Sequence, residues 1–172
     1  MSDRILFWHR RDLRISDNLG LAAARERSPQ VTGVFCLDPN LLDRDDVAPA
    51  RVTYMIGCLA ELQRRYAEAG SELLILKAEP VKGIPTIAQA INAAAVYWNR
   101  DVEPYARDRD TQVAAALKEA GIEIKTTFWD QLLQEPGSVL TSSNQTPYTV
   151  YTPFWKSWIK KAKSAPAGTL ET

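Results

Sequence analysis

Five short apolar segments recur along the chain, and longer stretches with helical periodicity separate them. The five segments are ILFW (5–8), VTGVFCL (31–37), ELLIL (72–76), AAVYW (94–98) and IEIKTTF (122–128). Each has the length of a β-strand and lacks a clean alternation of apolar and polar residues, which is typical of strands that are covered on both faces. The pattern therefore predicts a buried parallel sheet.

Four helical segments connect these strands, each with residues that favour helix ends. They are NLGLAAARER (18–27) after Ser16 or Asp17, the segment from Pro49 to Gly70, the weaker PTIAQAINA (85–93), and YARDRDTQVAAALKEA (105–120) between Pro104 and Gly121. The alternation of strand and helix predicts a doubly wound, Rossmann-like α/β domain with right-handed crossovers. We expect five parallel strands in the order 3-2-1-4-5, with helices on both faces of the sheet.

The composition changes after residue 129. Residues 1–129 hold the predicted α/β domain, whereas residues 130–160 combine Pro, Ser and Thr with several large aromatic rings. Because rings exposed to water promote association, we expect residues 130–160 to be a connector that packs on the domain. Residues 161–172 are polar and contain Pro and Gly, which predicts the start of a linker toward a further domain.

Charge and cysteine content exclude several classes of protein. The chain has 172 residues, and 21 Lys and Arg balance 21 Asp and Glu, so DNA binding by this chain alone is not expected. Two cysteines, Cys36 and Cys58, cannot build a disulfide framework, and the single His9 has no partners at zinc-site spacing. The sequence shows neither a signal peptide nor the roughly 20 apolar residues of a membrane span. These features predict a cytoplasmic protein without a metal site.

Charged residues follow three of the predicted strands. His9, Arg10 and Arg11 follow the first strand, Asp38 follows the second, and residues 99–103 (NRDVE) follow the fourth. In the predicted order the sheet reverses between strands one and four, and open α/β sheets bind ligands beyond the carboxyl ends of the strands at that point. We therefore expect the charged loops to form the rim of a pocket.

The sequence lacks several common catalytic and phosphate-binding motifs. No G-x-G-x-x-G follows the first strand, no P-loop or nucleophile elbow occurs, and one histidine makes a Ser-His-Asp or Cys-His arrangement difficult to build. We therefore interpret the chain as a binding domain without a catalytic residue. A flat ligand with amide edges needs carboxylate, guanidinium and apolar partners. The predicted rim offers Asp101, Arg51, Arg109, Phe35, Leu37 and Met55.

Three longer motifs resemble signatures of the DNA photolyase and cryptochrome family. They are WHRRDLRISDN (8–18), WNRDVEPYARDRD (98–110) and YTVYTPFWKSW (148–158), which follow the order found in the family and span about nine-tenths of the chain. The residues around Cys36 and PARVTYM (49–55) are similar to those of cyanobacterial photolyases that carry an 8-hydroxy-5-deazaflavin antenna pigment. The chain thus resembles the N-terminal, antenna-binding α/β domain of this family.

The resemblance implies a function for a longer parent protein. In the family, the N-terminal domain binds a light-harvesting pigment that passes excitation to FAD, and a helical C-terminal domain binds FAD and the flipped DNA lesion. The parent would be a deoxyribodipyrimidine photo-lyase, a carbon–carbon lyase that repairs cyclobutane pyrimidine dimers, and this chain alone would not repair DNA. Its partners would be its own helical domain, damaged DNA through that domain, and a second copy through the aromatic connector. A cryptochrome that signals without repair and a free-standing nucleotide binder are the alternatives.

The resemblance also implies roles for individual residues. Asp101 would accept a hydrogen bond from the imide of the pigment ring, and two arginines would donate to ring oxygens. The full set of implied antenna contacts is Cys36, Leu37, Asp38, Arg51, Asp101 and Arg109.

Other residues of the motifs have simpler interpretations. These are an ion-pair network of Arg10, Arg11, Asp12 and Arg14 that holds the first loop against the WNRD loop, helix capping by Asp17 and Asn18, a structural hydrogen bond of His9, and core packing of Cys36, Cys58, Trp8 and Trp98.

Overall fold

Five parallel strands form one sheet at the centre of the molecule. The structure is a computed structural model that describes residues 3–129 and 134–168. The strands are β1 (Arg4–His9), β2 (Gln30–Leu37), β3 (Leu73–Lys77), β4 (Ala93–Asn99) and β5 (Glu123–Phe128). Their order is β3-β2-β1-β4-β5, and every pairing is parallel. The predicted sheet and strand order are confirmed.

Helices cover both faces of this sheet, as predicted. They are α1 (Leu19–Arg27), α2 (Pro39–Leu42), α3 (Pro49–Glu68), α4 (Pro80–Ala90), α5 (Pro104–Glu119) and α6 (Tyr151–Trp158). The helices α1 and α3 pack on one face around Phe7 and Tyr66, whereas α4 and α5 pack on the other around Trp8 and Trp98. The two cores are separated by the sheet, so the site at its carboxyl edge is held from both sides.

The central and edge strands differ in burial. Residues Ile5 to His9 of β1 are at most 1% exposed, because β1 has a neighbouring strand on each side and a helix layer on each face. In β5, exposed residues alternate with half-buried ones. The expectation of burial on both faces is therefore wrong for β5, an edge strand that carries polar Glu123 and Lys125 among its exposed positions.

The structure identifies one of the candidate caps of α1 and starts α4 earlier than predicted. Asn18 caps α1, since its side chain accepts a hydrogen bond from the Leu21 amide at 3.2 Å. Asp17 instead has a positive φ of 48°, a conformation outside the extended backbone usual for a cap. Helix α4 begins at Pro80, where the missing N–H has no helical partner in any case, and Pro85 lies inside it.

The long helix α3 buries only part of its apolar face. Leu59, Leu62 and Tyr66 are at most 3% exposed, and Met55 is half-buried against the same core. Ile56, three residues before buried Leu59, is 47% exposed. The first half of α3 is therefore less covered than the second half.

The aromatic connector is described from residue 134, and residues 130–133 and 169–172 lie outside the described residues. It contains a bridge between Leu140 and Pro147, followed by α6. The amide of Ala167, in the segment that follows the connector, donates to Asp17 Oδ1 at 2.8 Å, so the chain after the connector returns to the α/β domain. Within the part of the chain that the structure describes, no helix has the length and apolarity needed to cross a bilayer.

Candidate functional site

A cavity of about 610 Å³ opens at the carboxyl edge of the sheet. It lies beyond the ends of β1 and β4, the two strands between which the strand order reverses. Its volume is within the range of small-molecule sites. Another depression of about 630 Å³ lies at the opposite edge of the sheet, but it is more open and bordered mainly by polar residues such as Arg4, Gln30 and Glu72. The cavity at the carboxyl edge is therefore the candidate site.

The cavity combines flat apolar surfaces with charged groups. Apolar side chains from β1, β2 and α3 form part of its wall, namely Trp8, Phe35, Val52 and Met55. Charged side chains from the loops after β1 and β4 line it as well, including Arg11 and Asp101. This arrangement is suited to a planar molecule that has polar atoms at its edges.

Five of the six predicted site residues meet at this cavity. Its lining includes Cys36, Asp38, Arg51, Asp101 and Arg109. The sixth residue, Leu37, packs instead against the core beneath α1 and α3 and is not part of the lining. The structure therefore brings together residues from four separate segments, while their contacts with a ligand remain predictions.

Asp38 connects two sides of the cavity. Its Oδ1 accepts a hydrogen bond from the Asn40 amide at 3.1 Å, which caps α2. Its Oδ2 accepts a hydrogen bond from the Tyr105 hydroxyl at 2.6 Å. Burial and the bond to Asp38 raise the pKa of Tyr105 to about 12, so the phenol keeps its proton at neutral pH. Asp38 thus stabilises the wall of the cavity by linking α2 to α5.

Asp101 has one carboxylate oxygen engaged by the backbone. Oδ1 accepts hydrogen bonds from the amides of Val102 at 2.7 Å and Glu103 at 3.2 Å. Arg11 Nη1 lies 3.8 Å from the same oxygen. Among residues 3–129 and 134–168, no donor makes a hydrogen bond to Oδ2. This oxygen is the acceptor that Asp101 can offer to an N–H group of a ligand.

Three of the arginines that line the cavity have different environments. Arg109 donates from Nε and Nη2 to Asp110 Oδ1 at 3.2 and 2.9 Å, and Arg10 pairs with Oδ2 of the same carboxylate. Both guanidinium groups also lie over the ring of Trp8, with Cζ 4.8 Å (Arg109) and 5.1 Å (Arg10) from its centroid. Arg51 is exposed and has no ion-pair partner in the described part of the chain. It is therefore the arginine most available to an anionic or carbonyl oxygen.

A sealed polar cluster lies beside the cavity, under the loop after β1. Asp12 accepts hydrogen bonds from the Arg10 amide at 2.9 Å and from the side-chain amides of Asn99 (2.5 Å) and Asn18 (3.5 Å). Burial opposes its ionisation, but the nearby His9 ring, the Arg10 amide and Asn99 lower the pKa of Asp12. The carboxylate is therefore ionised and held by hydrogen-bond donors rather than by arginine side chains.

His9 belongs to this cluster as a neutral side chain. Its Nδ1 lies 2.9 Å from the carbonyl oxygen of Asp12, which can only accept, so Nδ1 carries the proton. The Tyr66 hydroxyl then donates to Nε2 at 2.7 Å. Burial lowers the pKa of His9, which favours the neutral ring. The expected structural role of His9 is consistent with these bonds.

The predicted network of four residues in the first loop is divided in the structure. Arg10 pairs with Asp110, and Arg11 lies near Asp101 and Glu103. Arg14 donates to the carbonyl oxygen of Asp17. The loop is therefore linked to the WNRD segment by separate contacts, namely the Asp12 to Asn99 hydrogen bond and the Arg11 ion pair.

The sequence model of the family described as DNA photolyase matches residues 5–171. The chain belongs to the DNA photolyase family. It is 59% identical, over 98% of its length, to a deoxyribodipyrimidine photo-lyase of Synechococcus sp., of which it covers 34%.

Solved structures of photolyase-family proteins have the same fold. A Synechocystis cryptochrome superimposes with a TM-score of 0.84 at 27% identity, over 99% of this chain and 37% of the cryptochrome. A Sulfolobus tokodaii photolyase, described as containing two FAD molecules and implying a novel light-harvesting cofactor, superimposes with a TM-score of 0.84 at 30% identity, over 98% of this chain and 37% of that protein. This photolyase-family chain spans about a third of the length of these relatives.

Three residues that shape the cavity region were not among the predicted site residues of this photolyase-family chain. Trp8 was assigned to the core, and it is both 1% exposed and part of the cavity lining. Tyr105 and Asp110 lie within the motif WNRDVEPYARDRD, but their partners Asp38 and Arg10 are distant in sequence. The motif indicated their importance, whereas the pairing required the folded structure.

Proposed function

We propose that this chain binds an antenna chromophore in the cavity and acts as the N-terminal light-harvesting domain of a deoxyribodipyrimidine photo-lyase. The observation that carries the proposal is the cavity itself, in which flat apolar walls and polar edge groups occur together at the reversal point of the sheet. In this assignment residues 1–129 are the chromophore-binding domain, 130–160 the connector, and 161–172 the start of a linker.

The chemistry of the lining fits a chromophore of the 8-hydroxy-5-deazaflavin type. The tricyclic ring would lie against Trp8, Phe35 and Met55, all of which border the cavity. Asp101 Oδ2 would accept from the ring imide, and Arg51 would donate to a ring oxygen. When bound, the chromophore would absorb near-ultraviolet or blue light and pass the excitation to FAD in a C-terminal domain.

FAD is a second candidate for the same cavity. The structural relative from Sulfolobus tokodaii, described as containing two FAD molecules, supports considering it. The exposed guanidinium of Arg51 lies in the first turn of α3, where a diphosphate would also be favoured by the helix dipole. The two chromophores share the flat ring and differ in the charge of the attached group.

A binding experiment with matched variants tests the proposal. The purified chain is titrated with 8-hydroxy-5-deazariboflavin, FAD and 5,10-methenyltetrahydrofolate, and bound chromophore is measured from the shifted absorption band. Asp101→Asn should weaken binding about tenfold, because it replaces a charged acceptor of the imide. Asp108→Asn, at an exposed position of α5 outside the cavity, should leave affinity unchanged. Absence of binding by all three chromophores would refute the proposal.

The two-thirds of the relatives' length that this chain does not cover would contain the proposed catalytic domain. We infer that a helical C-terminal domain follows this chain in its parent protein, binds FAD, and repairs a cyclobutane pyrimidine dimer flipped out of damaged DNA. The 59% identity to a deoxyribodipyrimidine photo-lyase supports repair more than the 27% identity to a cryptochrome supports signalling. This chain alone would then bind the chromophore without repairing DNA.

Helix α6 offers a surface for that domain. Tyr151, Trp155 and Ile159 follow one another at four-residue spacing and are 73%, 42% and 52% exposed. Residues at this spacing share one face of a helix, so α6 presents an apolar strip. We propose that the strip packs against the C-terminal domain, and that the chain without that domain self-associates through it. Light scattering tests this: Trp155→Ser should reduce self-association, and an equally monomeric wild-type chain would contradict it.

A further inference from the structure

Trp8 belongs both to the cavity wall and to the core. Its ring lines the cavity, is 1% exposed, and makes an edge contact with Trp98 at a centroid distance of 5.7 Å. A planar chromophore in the cavity would therefore lie close to an indole ring. The following inference rests on the proposed binding of a light-absorbing chromophore at this site.

An indole ring beside an excited chromophore creates a competing reaction. The excited ring system can accept one electron from tryptophan, which gives an indole radical cation and a chromophore radical anion. No bond forms or breaks in this step, and the pair recombines with release of heat. Excitation that is lost in this way cannot be transferred to another chromophore.

The surroundings of Trp8 oppose the formation of positive charge on its ring. The guanidinium groups of Arg10 and Arg109 lie 5.1 and 4.8 Å from its centroid. The side chains of both arginines are only 9% exposed, so solvent screens them weakly. They share the single carboxylate of Asp110, and the three side chains together carry one net positive charge. A cation is attracted to a neutral indole ring but repelled by its oxidised form.

The neighbours of Trp8 offer poor secondary electron donors. Burial raises the pKa of Cys36 to about 12, so this residue is a thiol and not the more easily oxidised thiolate. The indole nitrogen of Trp98 is buried and has no hydrogen-bond partner among the described residues. An oxidised Trp98 would therefore have no acceptor for its proton, and a positive charge moved from Trp8 to Trp98 would not be trapped there.

We propose that Arg10 and Arg109 suppress electron transfer from Trp8 to an excited chromophore in the cavity, so that excitation leaves the site by energy transfer. Arg10 is a positioning residue: it packs over the Trp8 ring and contributes positive charge beside it. This role does not require contact between Arg10 and the chromophore. Asp110 sets the strength of the field, because its carboxylate offsets one of the two guanidinium charges.

The fluorescence lifetime of a bound probe gives the first test. The full chain is saturated with 8-hydroxy-5-deazariboflavin, and the lifetime of the bound fraction is measured by time-resolved emission. Arg10→Gln should shorten the lifetime at least about threefold, since it removes one of two adjacent positive charges. The double variant Arg10→Gln with Trp8→Phe should restore the wild-type lifetime, and Arg10→Lys should retain it. An unchanged lifetime in Arg10→Gln would overturn the proposal. So would a wild-type lifetime in the double variant Arg10→Gln with Tyr105→Phe but not in the one with Trp8→Phe.

Oxidation of the protein by azide radicals gives a test that needs no chromophore. Oxidised Trp8 is quantified by peptide mass spectrometry relative to exposed Trp155 in the same molecule. Arg10→Gln should raise this ratio several-fold, whereas Asp110→Asn should lower it, because removal of the carboxylate increases the net positive charge. General loosening of the fold would raise the ratio in both variants, and this outcome would refute the electrostatic role.

The two measurements separate failure of this inference from failure of the proposed function. If no chromophore binds, the antenna assignment is wrong, and the radical experiment still decides whether the arginines oppose oxidation of Trp8. If the chromophore binds and neither the lifetime nor the oxidation ratio depends on Arg10, the antenna assignment is retained and the protective role is rejected.

Discussion

Two polar regions lie side by side at the carboxyl edge of the sheet but have opposite properties. In the sealed cluster around Asp12, each carboxylate oxygen has a donor, and His9 and Asn99 are at most 2% exposed. At the cavity, Arg51 is exposed and Asp101 Oδ2 has no donor in the described part of the chain. The comparison shows that polar residues close to one another have two different roles. Those of the sealed cluster fix the conformation of the loops, whereas those at the cavity remain available to a ligand.

The largest expected effect comes from opening the sealed cluster. Asn99→Ala removes a donor to the buried carboxylate of Asp12 and the acceptor of the Gly20 amide. We expect the free energy of unfolding to fall by about 3 kcal/mol, because a buried charge loses part of its hydrogen bonding. Urea denaturation measures the change. Asn144→Ala, at an exposed position, is the control, and similar stability of the two variants would contradict the importance of the cluster.

Substitutions at two separate glycines test the same comparison. A Cβ on Gly20 would lie 2.5 Å from Asn99 Oδ1, whereas a Cβ on Gly57 would meet no atom within 4 Å. We expect Gly20→Ala to cost about 2 kcal/mol because the clash displaces a buried side chain. Gly57→Ala, in the middle of α3, should instead stabilise the protein by roughly 0.5 to 1 kcal/mol. Thermal unfolding tests whether Gly20→Ala lowers the melting temperature and Gly57→Ala raises it. Equal changes in melting temperature would show that the cluster tolerates the extra atom.

The pH dependence of stability should report the neutral state of His9. Because burial lowers its pKa in the folded protein, the unfolded chain binds the proton first as the pH falls below about 6.5. Unfolding free energy should therefore decrease toward acid pH with a slope of up to about 1.4 kcal/mol per pH unit.

His9 is the only histidine in the chain, so one variant isolates its contribution. His9→Gln should be less stable at neutral pH but should lose the slope between about pH 6.5 and 5. Urea denaturation across this range measures both quantities. A slope that persists in the variant would assign the pH dependence to other groups.

The smallest expected change in stability is at the cavity. Arg51→Ala should alter the free energy of unfolding by less than about 0.5 kcal/mol, because the side chain is exposed. The same substitution should weaken binding of 8-hydroxy-5-deazariboflavin several-fold, while Arg107→Ala, on the exposed face of α5, should not. A stability loss in Arg51→Ala comparable to that in Asn99→Ala would remove the distinction between the two regions.

The fold was predictable because its strands have a strong local signal. Runs such as ILFW (5–8) and AAVYW (94–98) are apolar throughout, and they form the buried strands β1 and β4. The edge strand β5 has an alternating pattern of exposure, which agrees with the alternation of Glu123, Ile124 and Lys125 in its sequence. Ser16, Asp17 and Asn18 were all candidates for the cap of α1, since all three residue types cap helices, and only the backbone conformation identifies Asn18 as the cap.

The site was predictable only as far as strand order determines proximity. That rule covers Asp38 and Asp101, because the carboxyl ends of parallel strands meet at one edge. Cys36, Arg51 and Arg109 were assigned from the resemblance to the photolyase family, and the cavity lining includes all five residues. Specific partners do not follow from that rule.

Pairings across the fold depend on helix rotation and on side-chain rotamers, which sequence spacing does not encode. Tyr66 donates to His9 from 57 positions away, and Asp110 pairs with Arg10 across 100 positions. Leu37 was expected at the site by its position next to Cys36, but its side chain packs on the other core.

The bond from the Ala167 amide to Asp17 has a consequence for the direction of the polypeptide. Asp17 belongs to the loop that leaves β1 at its carboxyl end, so the chain near residue 168 has come back to the side of the molecule on which the cavity opens. A domain joined there starts from this side and not from the opposite one. In the proposed photolyase, a starting point on the cavity side would keep the separation between the two chromophores short, and energy transfer weakens steeply as that separation grows.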